Sequence, residues 1–358
     1  MTLAHPFSSL ATPGLAPPAW LLLGIPDDAR ARLLFSAWNE PPRIVMQGTA
    51  GFLGQLQALP WTLQPVYFGK PQMAINAQLQ RLPCINFLAD ADIYPLALHQ
   101  AGGFVDQMQM PCFNHPHAVQ RTSRDGVYQR LKSVPGLYVP VTVRTRADTL
   151  AQLQQAMQEA GIVFPVLVRM TGDHGGVSTA KVDSAAQWDV INPLPWGGRE
   201  VYLTQFVDYR DVDGHYRKTR LVVAGDAVLT RHLIVSNEWM VHRSERIAAS
   251  ADEECAWLEG FGTQTLPKIA AVMREMATLL GLDYFGVDAS LRPDGTLLLF
   301  EANACMNVLA NTAGAGPSMW DQPLADISAR LVEALGNVRG WRGAARPGLQ
   351  GGKTLLAP

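Results

Sequence analysis

Residues 287–307 read VDASLRPDGTLLLFEANACMN, two apolar runs around a turn, and the polar residues at the ends of those runs decide how the chain is read. Asp294-Gly295 is the favoured dipeptide for a two-residue hairpin loop, because such loops need positive φ, which glycine adopts at no steric cost. With those two residues as the loop, Pro293 pairs with Thr296, and counting outward brings Asp288 directly across from Glu301. Directly opposed side chains share a face, with Cβ atoms roughly 5 Å apart. Asn303, two residues past Glu301, points the same way. Two carboxylates this close repel unless a cation or a proton lies between them. An oxygen-only set suits a hard cation, Mg2+ or Mn2+, better than zinc. Asp288, Glu301 and Asn303 are therefore the expected metal ligands. The alternative is that Asp288 is a solvated strand end and that Glu301 and Asn303 merely close a strand.

Composition bounds the rest. At 358 residues the chain is too long for one simple core, so two or three packed domains are expected. A hydrophobic content of 48% with 17% charged residues describes a globular protein. The net charge of −2 gives no electrostatic footprint for nucleic acid. No stretch approaches the ~20 apolar residues of a membrane span, and the start lacks the basic region of a signal peptide. Cys84, Cys112, Cys255 and Cys305 lie far apart, which fits free thiols in a cytoplasmic protein.

Along the chain, residues 1–18 read as a loose leader and the Gly-, Arg- and Pro-rich residues 339–358 as a tail. In 19–113, short apolar runs (AWLLLGI, RIVMQG, QPVYFG, CINFLAD) alternate with candidate helices, which predicts a small α/β domain with a largely parallel sheet. CINFLADAD ends in acidic positions where a strand's C-terminal loop would sit. Two further units are expected over 114–205 and 206–338. In the first, residues 121–131 and 148–160 read as helices, LYVPVTVR as a strand interrupted by Pro140, and FPVLVRM as a buried strand. In the second, YLTQFV, KTRLVVAG and AVLTRHLIV read as strands, and Leu266, Ile269, Met273, Met276 and Leu280 form the apolar stripe of a helix closed by Gly281.

The loop TGDHGGVS, residues 171–178, follows the strand that carries Arg169. Closely spaced glycines let backbone N–H groups approach phosphate oxygens, and a nearby arginine adds fixed positive charge. It is neither a Walker A sequence nor GxGxxG, and an ordinary flexible hairpin is the competing reading.

Taken in order, this loop, the strand TQFVD (204–208), a basic strand with Arg217, Lys218 and Arg220, and the closing acid–hairpin–Glu-x-Asn resemble the ATP-grasp ligases of the glutathione-synthetase-like type. The likeness runs from about Cys84 to Asn307. It is nearest to ATP-grasp domains attached to tetratricopeptide proteins, although no such repeats are present. The resemblance implies an α/β (α+β) architecture, with an N-terminal parallel-sheet domain before two ATP-grasp subdomains. It implies that Asp288, Glu301 and Asn303 hold one or two Mg2+ ions on ATP, with Glu301 shared. Arg169 would stand where many members have a phosphate-contacting lysine. His174, Gly175, Gly176 and Val177 would cover the phosphates. Gln205, Phe206 and Val207 would present backbone to adenine, with Asp208 near the ribose. Arg220 would lie beside the γ-phosphate and the acyl phosphate, so Arg220 and Arg169 are the implied catalytic residues. Gly126 departs from the pattern where many relatives carry a second lysine, with Arg124, Arg130 and Lys132 as candidate replacements.

The implied chemistry is ATP-dependent joining of a carboxylate to an amine through an acyl phosphate, with small-molecule substrates such as amino acids or peptides and products such as small peptides or natural products. A phosphotransferase of the same fold, or a nucleotide-binding module with little turnover, are the alternatives. A homodimer is admitted, but nothing in the sequence sets the oligomeric state. His115-Pro-His117 reads as a loop, for want of a nearby cysteine or acid. His232 and His242 read equally as acceptor-pocket or structural residues. No nucleophile pattern surrounds Cys305.

Overall fold

The structure, a computed structural model, describes residues 17–34, 43–69, 80–173, 176–241, 246–310 and 317–343. His174, Gly175 and His242, residues 1–16 of the expected leader and the tail beyond 343 lie outside the described residues. The architecture is mixed α/β, with separate sheets.

The N-terminal unit is a four-stranded sheet in which all pairings are parallel, as the alternation of short apolar runs and helices predicts. It is built from β1 (Pro18–Gly24), β4 (Thr62–Phe68), β5 (Cys84–Asn86) and β6 (Cys112–Phe113) in the order β4-β1-β5-β6. A short ribbon of β2 (Arg32–Leu34) and β3 (Arg43–Val45), helix α1 (Leu53–Leu56) and helix α2 (Pro95–Met108) complete it. Helices α3 (Pro116–Gln120) and α4 (Arg124–Leu131) follow; Ser123 caps α4 by accepting the Gly126 N–H.

Pro140 does more than interrupt a strand. It lies between β7 (Leu137–Tyr138) and β8 (Thr142–Ala147), which belong to different sheets. Proline cannot donate to a ladder, and the chain changes sheet there. From β8 the chain builds a four-stranded antiparallel sheet with α5 (Leu150–Glu159), β9 (Val166–Met170), β10 (Thr179–Val182) and β11 (Arg199–Gln205), in the order β10-β9-β11-β8. Helix α5 opens on a capping box between Thr149 and Gln152.

The third sheet, β13-β12-β14-β15-β7, adds β12 (Tyr216–Ala224), β13 (Ala227–Ser236), β14 (Tyr284–Leu291) and β15 (Leu297–Asn303) to β7. Helices α6 (Ala251–Gly260), α7 (Leu266–Leu280) and α8 (Asp321–Gly336) lie around it. The expected stripe on α7 is in the core from Ile269 to Leu280, and Gly281 takes the left-handed φ of 70° at its end.

Packing divides the molecule in two. One continuous apolar core runs from Leu21 and Ile85 of the N-terminal sheet to Val287 and Leu299 of the five-stranded sheet. Buried Asn114 stitches those two together: its side chain accepts the Asp283 and Tyr284 N–H groups and donates to the Tyr284 carbonyl at 2.7 Å. The antiparallel sheet keeps a separate core of Val166, Val168, Leu203, Leu153 and Trp188.

Candidate active site

The hairpin of β14 and β15 places Asp288 directly opposite Glu301, and Asn303 opposite Gly286 on the same edge of the site. The route to that pairing differs from the simple hairpin. Leu291 pairs with Leu297, and Arg292 N–H and Gly295 N–H close the turn onto Thr296 and Arg292 carbonyls. The loop therefore has three residues, Pro293, Asp294 and Gly295, with Gly295 at φ 84°. One extra loop residue would rotate Glu301 away from Asp288. A bulge at Phe300, where pairing steps from Leu299 to Glu301, restores it.

These residues line a cavity of about 220 Å³ between the four-stranded antiparallel sheet and the five-stranded sheet, closed at one side by the loop after β5. Arg169, Gln205, Phe206, Val207, Arg220, Asp288, Glu301 and Asn303 all reach it. Asp208 and Gly176 are not among the lining residues; Asp208 is a half-exposed side chain that accepts the Arg210 N–H.

The charges are paired across the cavity. Arg220 grips Asp288 with two bonds, Nε–Oδ1 at 2.7 Å and Nη2–Oδ2 at 2.9 Å, and Lys218 Nζ lies 3.4 Å from the same carboxylate. Burial alone would raise the Asp288 carboxyl; the two cations outweigh it and hold it below the usual carboxylate range. Arg124 Nη2 meets Glu301 Oε1 at 2.8 Å and donates through Nη1 to the Phe300 carbonyl. Arg169 has no carboxylate at bonding distance among the described residues; its Nη1 lies 3.4 Å from the Asp173 carbonyl. Burial, with Arg124 nearby, lowers its guanidinium to about 10. Arg124, Arg169, Lys218 and Arg220 thus reach the cavity beside Asp288 and Glu301, a cluster of cations that can meet an anion.

Gln205 turns its side chain to its own neighbours. It donates to the Pro165 and Phe206 carbonyls and accepts the Val163 N–H. It therefore fixes the backbone of 205–207 at the cavity edge, while Lys181 Nζ stands 4.3 Å over the Phe206 ring.

No family model matches the sequence, and no curated protein does. Solved structures match instead. The ATP-grasp RimK-domain protein of Sphaerobacter thermophilus aligns over 90% of this chain and 98% of its own, at 14% identity and a TM-score of 0.50. The D-alanine–D-alanine ligase of Bacillus anthracis aligns over 91% and 97%, at 10% identity and a TM-score of 0.47.

The fold is an ATP-grasp fold. The finer likeness to tetratricopeptide-linked domains finds no support in these comparisons.

Within the ATP-grasp frame, Gly126 has a steric reason. A Cβ there would lie 2.5 Å from the Arg121 carbonyl oxygen and 2.9 Å from Ser123 Oγ, so the tight cap of α4 leaves no room for a lysine. Of the three candidate replacements, Arg124 enters the cavity; Arg130 bonds the Leu279 carbonyl and Lys132 bonds Gln129.

Sequence reasoning passed over Lys218 as a site residue, and Asp90 and Asp92 as cavity residues. The last two had a signal: they follow a parallel strand at its C-terminal end, where open α/β sheets bind ligands. The histidine pair is corrected by an acid distant in sequence. Asp106 on α2 lies 3.2 Å from His115 Nε2 and 3.3 Å from His117 Nε2. His115 Nδ1 accepts the His117 N–H, so its proton sits on Nε2 facing Asp106, and the cluster ties α2 to α3. Cys305 lies 3.4 Å from Asn303 Oδ1, and burial raises its thiol well above the ordinary range.

Proposed function

We propose that this protein is an ATP-dependent carboxylate–amine ligase. The observation that carries the reading is the facing pair Asp288 and Glu301, with Asn303 beside it, in a cavity that also presents Arg124, Arg169, Lys218 and Arg220.

The donor set fits a hard divalent ion. Two carboxylates and an amide oxygen are oxygen ligands, and each acid lies beside an arginine. Among the described residues no three His, Cys, Asp or Glu side chains converge on a metal position, and this set relies on Asn303 as its third member. Asp288, Glu301 and Asn303 would hold Mg2+ or Mn2+, which offsets phosphate charge when bound.

The chain's own residues account for the remaining roles. Arg169 and Arg124 bind phosphate oxygens, and the backbone of 205–207 borders the base. A substrate carboxylate attacks the γ-phosphate of ATP, giving an acyl phosphate and ADP. An amine then displaces phosphate from the acyl carbon, giving an amide. Arg220, bonded to Asp288 and to the Asn307 carbonyl, would stabilise charge on the transferring group and on the oxyanion. Small molecules such as amino acids or peptides are the proposed substrates, in a reducing cytoplasm compatible with the four free thiols.

Incubation with ATP, Mg2+ and a pool of amino acids tests this. Amine-dependent release of ADP and free phosphate, with a hydroxamate formed on adding hydroxylamine, supports the ligase. A stable phosphorylated product would replace the reading with phosphotransfer, and nucleotide binding without turnover would replace it with a binding module.

A further inference from the structure

Since the antiparallel sheet β8–β11 has a core of its own, something other than shared apolar packing must set its position over the cavity. The contact that does so centres on one acid of the N-terminal unit. Asp92 follows β5, and its side chain is only 9% exposed. It accepts bonds from the Tyr202 hydroxyl on β11, at 2.7 Å and 2.8 Å, and from the Arg144 guanidinium on β8. Its Oδ2 also takes the Gly172 N–H, at 3.3 Å, where the glycine-rich segment leaves β9. Arg144 extends the hub by bonding Glu200 at 3.1 Å and facing Asp125 of α4 at 3.5 Å. Its guanidinium stacks 5.1 Å from the Tyr202 ring centre.

We propose that Asp92 is a positioning residue: it latches the antiparallel sheet and the base of its glycine-rich segment to the N-terminal unit, and so sets how long nucleotide stays in the cavity. The inference rests on the nucleotide-binding reading above and adds to it a control point on a different domain. Gly172 has φ 73°, a left-handed backbone that glycine adopts without strain, and its nearest neighbour on the Cβ side is Ile93 of the N-terminal unit. Two side chains and one amide converge on a single carboxylate, and each bond crosses from the body with the shared core to the separately cored sheet. Charged hydrogen bonds of this kind are strong when sheltered from water. They can also break as a set when the sheet swings, because no apolar core must be opened with them.

Release of a fluorescent ADP analogue, followed by stopped flow on the full chain, reads the latch directly. Asp92→Asn removes the charge and should speed release on the order of tenfold; Tyr202→Phe removes one donor and should speed it less. Asp92→Glu keeps the charge and should recover part of the loss. The unfolding midpoint should move little, because the hub lies outside both apolar clusters. Hydrogen exchange at residues 170–173 should quicken in Asp92→Asn, a readout that needs no nucleotide. If the wild-type chain fails to bind the analogue, the nucleotide reading falls, and exchange alone then decides the latch. Unchanged release and unchanged exchange in Asp92→Asn overturn the proposal. Should that variant fail to fold, the near-isosteric Tyr202→Phe decides in its place, with wild-type release and exchange as the overturning result.

Discussion

The two walls of the cavity are made differently. The wall that carries Asp288, Glu301 and Arg220 is a sheet buried in the same core as the N-terminal domain. The wall that carries Arg169 and the 205–207 backbone is a small sheet with its own core, joined to the rest through charged contacts such as the Asp92 hub. A wall built into the main core cannot lose a charge without straining the whole fold. A wall hung on polar contacts can lose one and still fold. Variants on the first wall should therefore change stability and chemistry together, and variants on the second should change binding with little cost to folding.

The largest effects belong to the first wall. Asp288→Ala removes a buried carboxylate and leaves the half-buried Arg220 and Lys218 without their counter-charge, and breaking a pair of this kind costs up to about 3–5 kcal/mol. Chemical denaturation should show that loss beside the loss of Mg2+-dependent ADP formation. Glu301→Ala should lower the turnover rate by at least ~10²-fold. Stability unchanged in Asp288→Ala would break the contrast between the walls. Metal-dependent turnover unchanged in both variants would break the ligase reading.

The same wall shows how far the sequence could be read. Asp-Gly within two apolar runs was enough to bring Asp288 opposite Glu301, yet the loop has three residues and the bulge at Phe300 compensates. A bulge leaves no signature in apolar alternation that a shorter loop would not also satisfy, so the pairing was legible and its cause was not. Strands, the α7 stripe and the parallel N-terminal sheet were legible because each is written in local periodicity. The change of sheet at Pro140, the role of Asp92 and the tie from Asp106 to two histidines were not. Each depends on residues brought together from distant positions, which no local pattern encodes. Gly126 is a further case: it reads as a missing lysine, whereas the crowded cap of α4 admits no side chain. Gly126→Lys should lower stability by ~1–3 kcal/mol through that overlap and should not tighten ADP binding. A tighter-binding, undiminished variant would mean that α4 can shift to admit the lysine.

The second wall should answer differently. Arg169 is a half-buried cation whose guanidinium is lowered to about 10, first by its removal from water and then by Arg124. A folded-state value below the ordinary one means that folding disfavours the charged form, so the empty protein bears a cost for keeping this charge. Arg169→Met should therefore leave the unfolding midpoint equal or higher while weakening ADP binding about tenfold or more. Titration with ADP and thermal melting of the same samples check both halves. A lower midpoint would show that the small sheet depends on this arginine for folding, and would narrow the difference between the walls.

The smallest effect is a pH slope on the first wall. His232 on β13 pairs with Arg220 on β12, and its Nε2 has no hydrogen-bond partner among the described residues. Burial lowers its pKa well below 6.5, and Arg220, Arg231 and Lys218 add to this against the opposing pull of Asp288. The folded chain therefore keeps the ring neutral where the unfolded chain gains a proton. Stability from this residue is complete above the unfolded value of about 6.5 and declines as pH falls below it, until the folded value is reached. Urea unfolding at about pH 7.5, 6.5 and 5.5 should show the wild type losing stability faster on acidification than His232→Gln. Because the half-buried His115 is also lowered, the test is the difference between the two profiles rather than the wild-type slope. Parallel profiles would mean that this face of the main core admits water to the ring, and that the wall holding Asp288 is less tightly closed than its burial indicates.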